Sequence, residues 1–266
     1  MSLAVIHTRA QLGIEAPPVA VEVHLSGGLP SMSIVGLPET AVKESRERVR
    51  SALITAGFDF PQRRVTINLA PADLPKEGGR YDLAIAIGIL AASGQLKGWK
   101  ANPSVEMIGE LALSGDIRPV RGILPAAVAA GKLGRALIVA RENAAEAVMA
   151  EGTEVFAAGH LLDLVAHLNR QQPLSASVAE TCTENGHALA DMADVKGQLQ
   201  ARRALEVAAA GGHNLLFSGP PGSGKSMLAA RLPGLLPPLA VAQRLEVAAI
   251  ASVSGQSVAP ACAGIR

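Results

Sequence analysis

The chain has 266 residues, which at about 150 residues per domain makes one large domain or two ordinary ones, long enough to bury a core. With 49% hydrophobic and 18% charged residues, it is globular rather than disordered. The 24 Lys+Arg against 23 Asp+Glu leave a formal charge of +1, and 4 Phe, 1 Tyr and 1 Trp offer little to build a base-stacking platform from. Composition therefore excludes a global electrostatic pull on nucleic acid and single-strand binding by stacking.

The N-terminus, MSLAVIHTRAQLG, has no basic segment followed by an apolar run and a small-residue cleavage site, so it does not read as a signal peptide. Cys182 and Cys262 lie far apart with no second Cys or His at metal-ligand spacing, so neither a zinc site nor a disulfide framework is expected. A reduced, cytoplasmic location is the expectation. No run reaches the roughly 20 apolar residues a membrane span needs, so no membrane partner is expected. The run after Asp82 and the uncharged tail from Val247 to Ile265 read as buried helix or strand.

Along residues 1–170, short β-rich runs alternate with longer helical segments, which predicts an α/β domain rather than a bundle or sandwich. The predicted strands are Val19–Leu25, Ser31–Leu37, Arg64–Ala70, Ala136–Ala140 and Thr153–Ala157. Between the second and third, ETAVKESRERVRSALITAGF places Val42, Val49, Leu53 and Ile54 at helical spacing and ends near a glycine suited to a C-cap. Its KESRER cluster is read as a solvated helix face. In PKEGGRYDLAIAIGIL, Gly78 and Gly79 predict a tight turn, Asp82 a cap for the next helix, and Leu83, Ile85, Ile87 and Ile89 its buried side. Lys76 and Arg80 flank that turn as exposed cations, with two readings: phosphate contacts to DNA, or solvated loop charges.

The polar stretch 171–192 reads as a linker. Beyond it, in 193–266, a helical segment leads to a strand-like run, Asn214–Ser218, and then to Gly219, Pro220, Pro221, Gly222, Ser223, Gly224, Lys225 and Ser226, followed by a good helical start. This is a complete GxxxxGK[ST] pattern in strand-to-helix context. Its glycines let backbone N–H groups turn toward phosphates, the helix N-terminus favours negative charge, and Lys225 adds a cation. Ser226 places a hydroxyl for Mg2+. ATP and Mg2+ are thus the expected cofactors. His213, just before the run, reads as packing or capping beside Gly211 and Gly212. A nucleoside triphosphatase of this type also needs a later acidic element to hold Mg2+ and activate water. After Ser226 the only carboxylate is Glu246, on a helix-like segment, so the nucleotide domain reads as cut short and no catalytic residue is assigned.

These segments, with IHTRAQLGIEAPPVAVEVHLSGGLPSMSIVGLPETAVKESRERVRSAL, GELALSGDIRPVRGILP and GGHNLLFSGPPGSGKS, closely resemble the N-terminal half of the ComM/YifB family of magnesium-chelatase-like AAA+ ATPases. The resemblance implies a hexameric ATPase that works on branched or single-stranded DNA in recombination during natural transformation. For residues 1–170 it implies the ribosomal-protein-S5 domain-2-like fold of Lon protease domains, and for 193–266 the start of a P-loop AAA+ domain. The Lon Ser–Lys dyad positions fall on Arg80 and Leu124, neither of which can serve as nucleophile or base. Proteolysis is not expected. Two other functions stay open: a magnesium-chelatase ATPase subunit, and a non-enzymatic oligomerisation or docking module.

Overall fold

The computed structural model describes residues 3–98, 102–178 and 190–258. It divides into two compact units. The described part of one runs through residue 178 and takes in Ala249–Gln256; the other covers the described residues up to Ala248 and from Ser257. Cys182, Cys262, residues 179–189 of the predicted linker and the end of the apolar tail lie outside the described residues.

The first unit is a mixed α/β layer built from β1 (Leu3–Arg9), β2 (Pro18–Ser26), β3 (Ser31–Val35), α1 (Thr40–Thr55), β4 (Arg64–Ala70), α2 (Asp82–Ala92), β5 (Val105–Ile108), β6 (Glu110–Leu111), β7 (Ile117–Arg118), α3 (Ile123–Gly131), β8 (Ala136–Ala140), α4 (Ala144–Ala147), β9 (Val155–Ala158) and α5 (Leu161–Leu168). Seven strands form one sheet in the order β3-β4-β2-β1-β5-β8-β9, and β6 and β7 form a small ribbon. The β1–β2 and β2–β4 pairs are antiparallel; the other four pairs of the large sheet are parallel.

Alternation decides which face is covered. Val19, Val21, Val23 and Leu25 on β2 and Val65, Ile67 and Leu69 on β4 are buried in one core with α1 and α2, while Glu22, bonded to Asn68, occupies the other face. This is the period-2 pattern of a strand with one face buried. α2 is the opposite case: Asp82 to Leu90 are all buried, so it is a core helix without an amphipathic stripe. α1 buries Val42, Val49 and Leu53 as its spacing predicts, whereas Ile54 is exposed. α1 ends on Gly57 at φ 82°, with Phe58 N–H bonded to Leu53 O at 2.9 Å, the expected C-terminal glycine turn.

All five predicted strands form, Arg64–Ala70 and Ala136–Ala140 to the residue and the other three with shifted ends. The run from Ser31 stops at Val35 because Gly36 and Leu37 both take positive φ, 99° and 55°, which breaks a pleated strand. The sequence pattern predicts neither β1 nor β5. They are adjacent in the sheet, and buried charges join them: Arg9 Nε donates to Glu106 Oε2 at 2.5 Å, Arg9 Nη2 to Oε1 at 2.9 Å, and Arg135 adds a bond at 2.8 Å. Arg9 Nη1 also donates to Ala16 O. Among the described residues no helix is long and apolar enough to cross a membrane.

The second unit contains α6 (Leu199–Gly211), α7 (Lys225–Ala229), α8 (Leu232–Leu235) and the larger part of α9 (Val241–Ser254). Its small core gathers Met192, Val195, Leu205 and Leu228, with Phe217 and Leu232 packed on it.

Two histidines of the first unit are held toward the neutral form. Burial lowers the pKa of His167, whose Nδ1 accepts from Leu174 N–H at 2.9 Å. Burial, and then the charge of Arg135, lower that of His7. With folded values below the ordinary 6.5, the unfolded chain takes up protons first, so this stabilisation is full above that value and is lost as pH falls through and below it. The urea midpoint should therefore be lower at about pH 5.5 than at about pH 7.5. The His7→Gln/His167→Gln variant should show a smaller drop, and a drop as large as the parent's would contradict the assignment.

Candidate functional site

The loop from Gly219 to Ser226 is held at three places. At its C-terminal end it runs into α7, where Leu228 is buried in the small core and anchors the helix. Beside it, Arg231 Nε donates to Asp191 O at 3.0 Å and its Nη2 lies 3.6 Å from Asp194. From the N-terminal end of α6, Gln198 Nε2 donates to Ser223 O at 2.9 Å. The sequence alone points to neither Gln198 nor Arg231. Their partners lie 25 and 37–40 residues away, and no local pattern marks such pairs.

Inside the loop, Gly222 and Gly224 take φ 81° and 83°, a left-handed backbone that a side chain would strain. Pro220 and Pro221 have no N–H, so the donors available to a bound anion are those of the residues that follow. Ser223 closes the turn on itself, its Oγ donating to Pro220 O at 2.9 Å. Lys225 folds back over the loop: its Nζ donates to Gly219 O at 2.9 Å, Pro220 O at 2.7 Å and Ser223 Oγ at 3.3 Å. A cation aimed into a loop of small residues, at the start of a helix whose first N–H groups lack intrahelical partners, suits an anion. Ser226 is exposed on the first turn of α7. These residues fit a nucleoside triphosphate with its Mg2+.

The strand expected at Asn214–Ser218 is absent. The segment carries no ladder, and Leu216 is 90% exposed; among the described residues the second unit has no strand to pair it with, and a strand without a partner leaves its backbone groups to water. His213 is exposed, its ring against Gly211 and its backbone N–H donating to Ala208 O at 3.0 Å, beside Gly212 in the left-handed cap of α6. Glu246 is exposed on α9.

In the first unit the turn before α2 corrects three expectations. Lys76 is fully buried, with its Nζ donating to Pro71 O, and Arg80 is only 5% exposed. Neither lies on the exposed surface, Lys76 being bonded to Pro71 O and Arg80 to Gln11 Oε1, so the geometry a DNA backbone contact requires is missing. Burial works against the charge of both side chains and lowers both pKa values. Asp82 does not cap α2 by side chain. It lies fully buried and accepts from Arg48 Nε at 2.7 Å, Arg48 Nη2 at 3.2 Å and Leu111 N–H at 3.3 Å. Burial pushes its carboxyl up and the Arg48 hydrogen bonds pull it down. Arg48 thus leaves the solvated face expected for KESRER, and Ser45 is buried beside it. Tyr81 is buried too, which pushes its phenol up to about 12. Leu124, fully buried, lies in the first turn of α3.

Two family models match the chain: "Subunit ChlI of Mg-chelatase" over residues 21–143 and "Magnesium chelatase, subunit ChlI" over residues 191–265. The chain is 54% identical over 253 residues to the uncharacterized protein YifB of Salmonella typhimurium, covering 95% of this chain and 50% of that protein. It is 51% identical over 257 residues to the competence protein ComM of Haemophilus influenzae, with the same coverage. A weaker likeness, 30% over 106 residues, joins 40% of the chain to 18% of Lon protease 2 of Bacillus subtilis. The chain spans about half the length of the ComM and YifB relatives it matches.

Because Lys76 and Arg80 are buried, reversing their charges is a test of folding. Lys76→Glu with Arg80→Glu places carboxylates beside Glu77 and should cost at least the ~3–5 kcal/mol of an uncompensated buried charge. Circular dichroism should show loss of the cooperative transition of the first unit. An unchanged urea midpoint would return both residues to the surface.

Proposed function

Because this chain belongs to the ComM/YifB family, we propose that it is the nucleotide-binding part of a magnesium-chelatase-like AAA+ protein acting on DNA. The observation that carries the reading is the Lys225 ammonium turned into the loop on Gly219 O, Pro220 O and Ser223 Oγ. Those three bonds hold the cation where phosphate oxygens would replace the loop oxygens as acceptors. Gly219, Pro220, Pro221, Gly222, Ser223 and Gly224 form the cradle, Lys225 neutralises the phosphates, and Ser226 supplies the hydroxyl for Mg2+. When bound, Mg2+ would neutralise charge on the phosphates. In this reading residues 193–266 are the beginning of a P-loop AAA+ domain, and 1–170 are a Lon-protease-like domain of the S5 domain-2-like class with Arg80 and Leu124 in place of the dyad.

Action on branched or single-stranded DNA, assembly into hexameric rings and a cytoplasmic location belong to the same proposal. Support comes from the relative named a competence protein and from the family resemblance. The formal charge of the chain is only +1, so any DNA contact would be local or would arise in an assembly. A magnesium-chelatase ATPase subunit is the competing reading, suggested by the descriptions of the two family models. What favours the ComM/YifB reading is identity of 51–54% maintained over 95% of the chain.

Titration of the 266-residue chain with a fluorescent ATP analogue and Mg2+ tests the site. Lys225→Ala should weaken binding by about tenfold or more, the loss of a charge-assisted contact of at least ~1.4 kcal/mol. Equal affinity of variant and parent would contradict the assignment.

A further inference from the structure

The turn before α2 forms one wall of a cavity of about 510 Å³ in the first unit. That volume is in the range of small-molecule sites. Gln11, Glu77, Gly78, Arg80, Glu110 and Arg121 are among the residues that line it.

Arg80 is the anomaly there. A guanidinium carries five N–H donors in a planar fork, and each one buried without a partner costs about 1–3 kcal/mol, more when it is charged. Arg80 Nη1 donates to Gln11 Oε1 at 2.9 Å, but Nε and Nη2 are buried with no hydrogen-bond partner. The ion pairs of the described residues involve other arginines and leave Arg80 out, although Glu77 and Glu110 share its cavity. Glu110 lies instead against Gly79, its carboxylate in the space a Cβ would fill. The single oxygen of a neutral amide is a poor match for a fork that a carboxylate or phosphate fills with two parallel bonds.

Gln11 has the character of a removable cover. It follows β1 at the entrance to the Leu12–Glu15 turn and is only partly buried. Its amide rests against Gly122, at φ 68°, where a Cβ would come within 2.5 Å of Oε1. Glycine at 122 leaves the room the amide occupies. Two glutamates and two arginines line the cavity, so its wall has no surplus of positive charge for a polyanion, and the carboxylate oxygens, as acceptors, suit donor groups on the body of a ligand.

We infer that this cavity binds a metabolite-sized molecule with one oxyanionic head, a carboxylate or a phosphate monoester, which displaces the Gln11 amide and engages the unpartnered donors of Arg80. The site belongs to the first unit and uses no residue of the nucleotide loop.

The test follows the Arg80 Nε–H resonance by NMR in the Lys225→Ala chain, so that the loop's cation does not capture the probe. Inorganic phosphate and acetate are titrated separately, with chloride at equal ionic strength as the control. A saturable shift with either anion, absent with chloride, is expected, and the stronger of the two identifies the head group. Gln11→Ala should tighten binding by about threefold or more, since it removes the internal competitor. Gln11→Glu should supply a carboxylate in cis, raising Tm and abolishing the titration. The proposal is overturned if neither anion gives a saturable shift in the parent or in Gln11→Ala, or if Gln11→Glu lowers Tm and leaves the titration intact.

Discussion

The ion pair between Asp82 and Arg48 is the constraint on which the first unit depends. α2 is apolar along almost its whole length and buried on every side, so hydrophobicity drives it inward without specifying its rotation or its depth. Asp82 supplies what is missing. Its carboxylate is fixed from two directions, by the Arg48 fork on α1 and by Leu111 N–H on β6. Loss of either partner would leave a buried carboxylate partly unsatisfied, which is costly, whereas the intact arrangement settles the position of the α2 N-terminus. The turn at Gly78–Arg80 inherits that position, and with it the inward course of Lys76 and Arg80.

The two candidate sites use the same elements in different ways. In the loop of the second unit, glycines with positive φ free the backbone to curl and the lysine is satisfied by neighbouring oxygens within the same turn. In the cavity of the first unit, glycines at 79 and 122 make room for the side chains of Glu110 and Gln11, and the arginine is left partly unsatisfied. A satisfied cation at an exposed loop exchanges its partners at little cost. An unsatisfied one in a buried wall carries a standing penalty that a ligand relieves.

What was legible in the sequence was what is local. The GxxxxGK[ST] run, the glycine end of α1 and the alternating valines of β2 each announce themselves within a few residues. The strand at Arg64–Ala70 was placed to the residue. The sequence pattern hides β1 because His7, Thr8 and Arg9 break its apolar run, and the burial of Arg9 makes sense only with Glu106, 97 residues away. The same distance problem hid Arg48 with Asp82 and Arg80 with Gln11, separated by 34 and 69 residues. Charged residues beside a Gly-Gly turn look solvated when read locally, and only the fold shows that the turn is directed inward. The strand at Asn214–Ser218 failed for the opposite reason: its local pattern is good, but a strand is a property of a pair.

Hydrogen exchange of the chain with and without an ATP analogue and Mg2+ bears most directly on the assignment of nucleotide binding to the loop. Slowed exchange confined to residues 219–228 and the adjoining Gln198, with the sheet of the first unit unchanged, is the expected pattern. Unaltered exchange across the loop, or protection appearing only in the first unit, would contradict it.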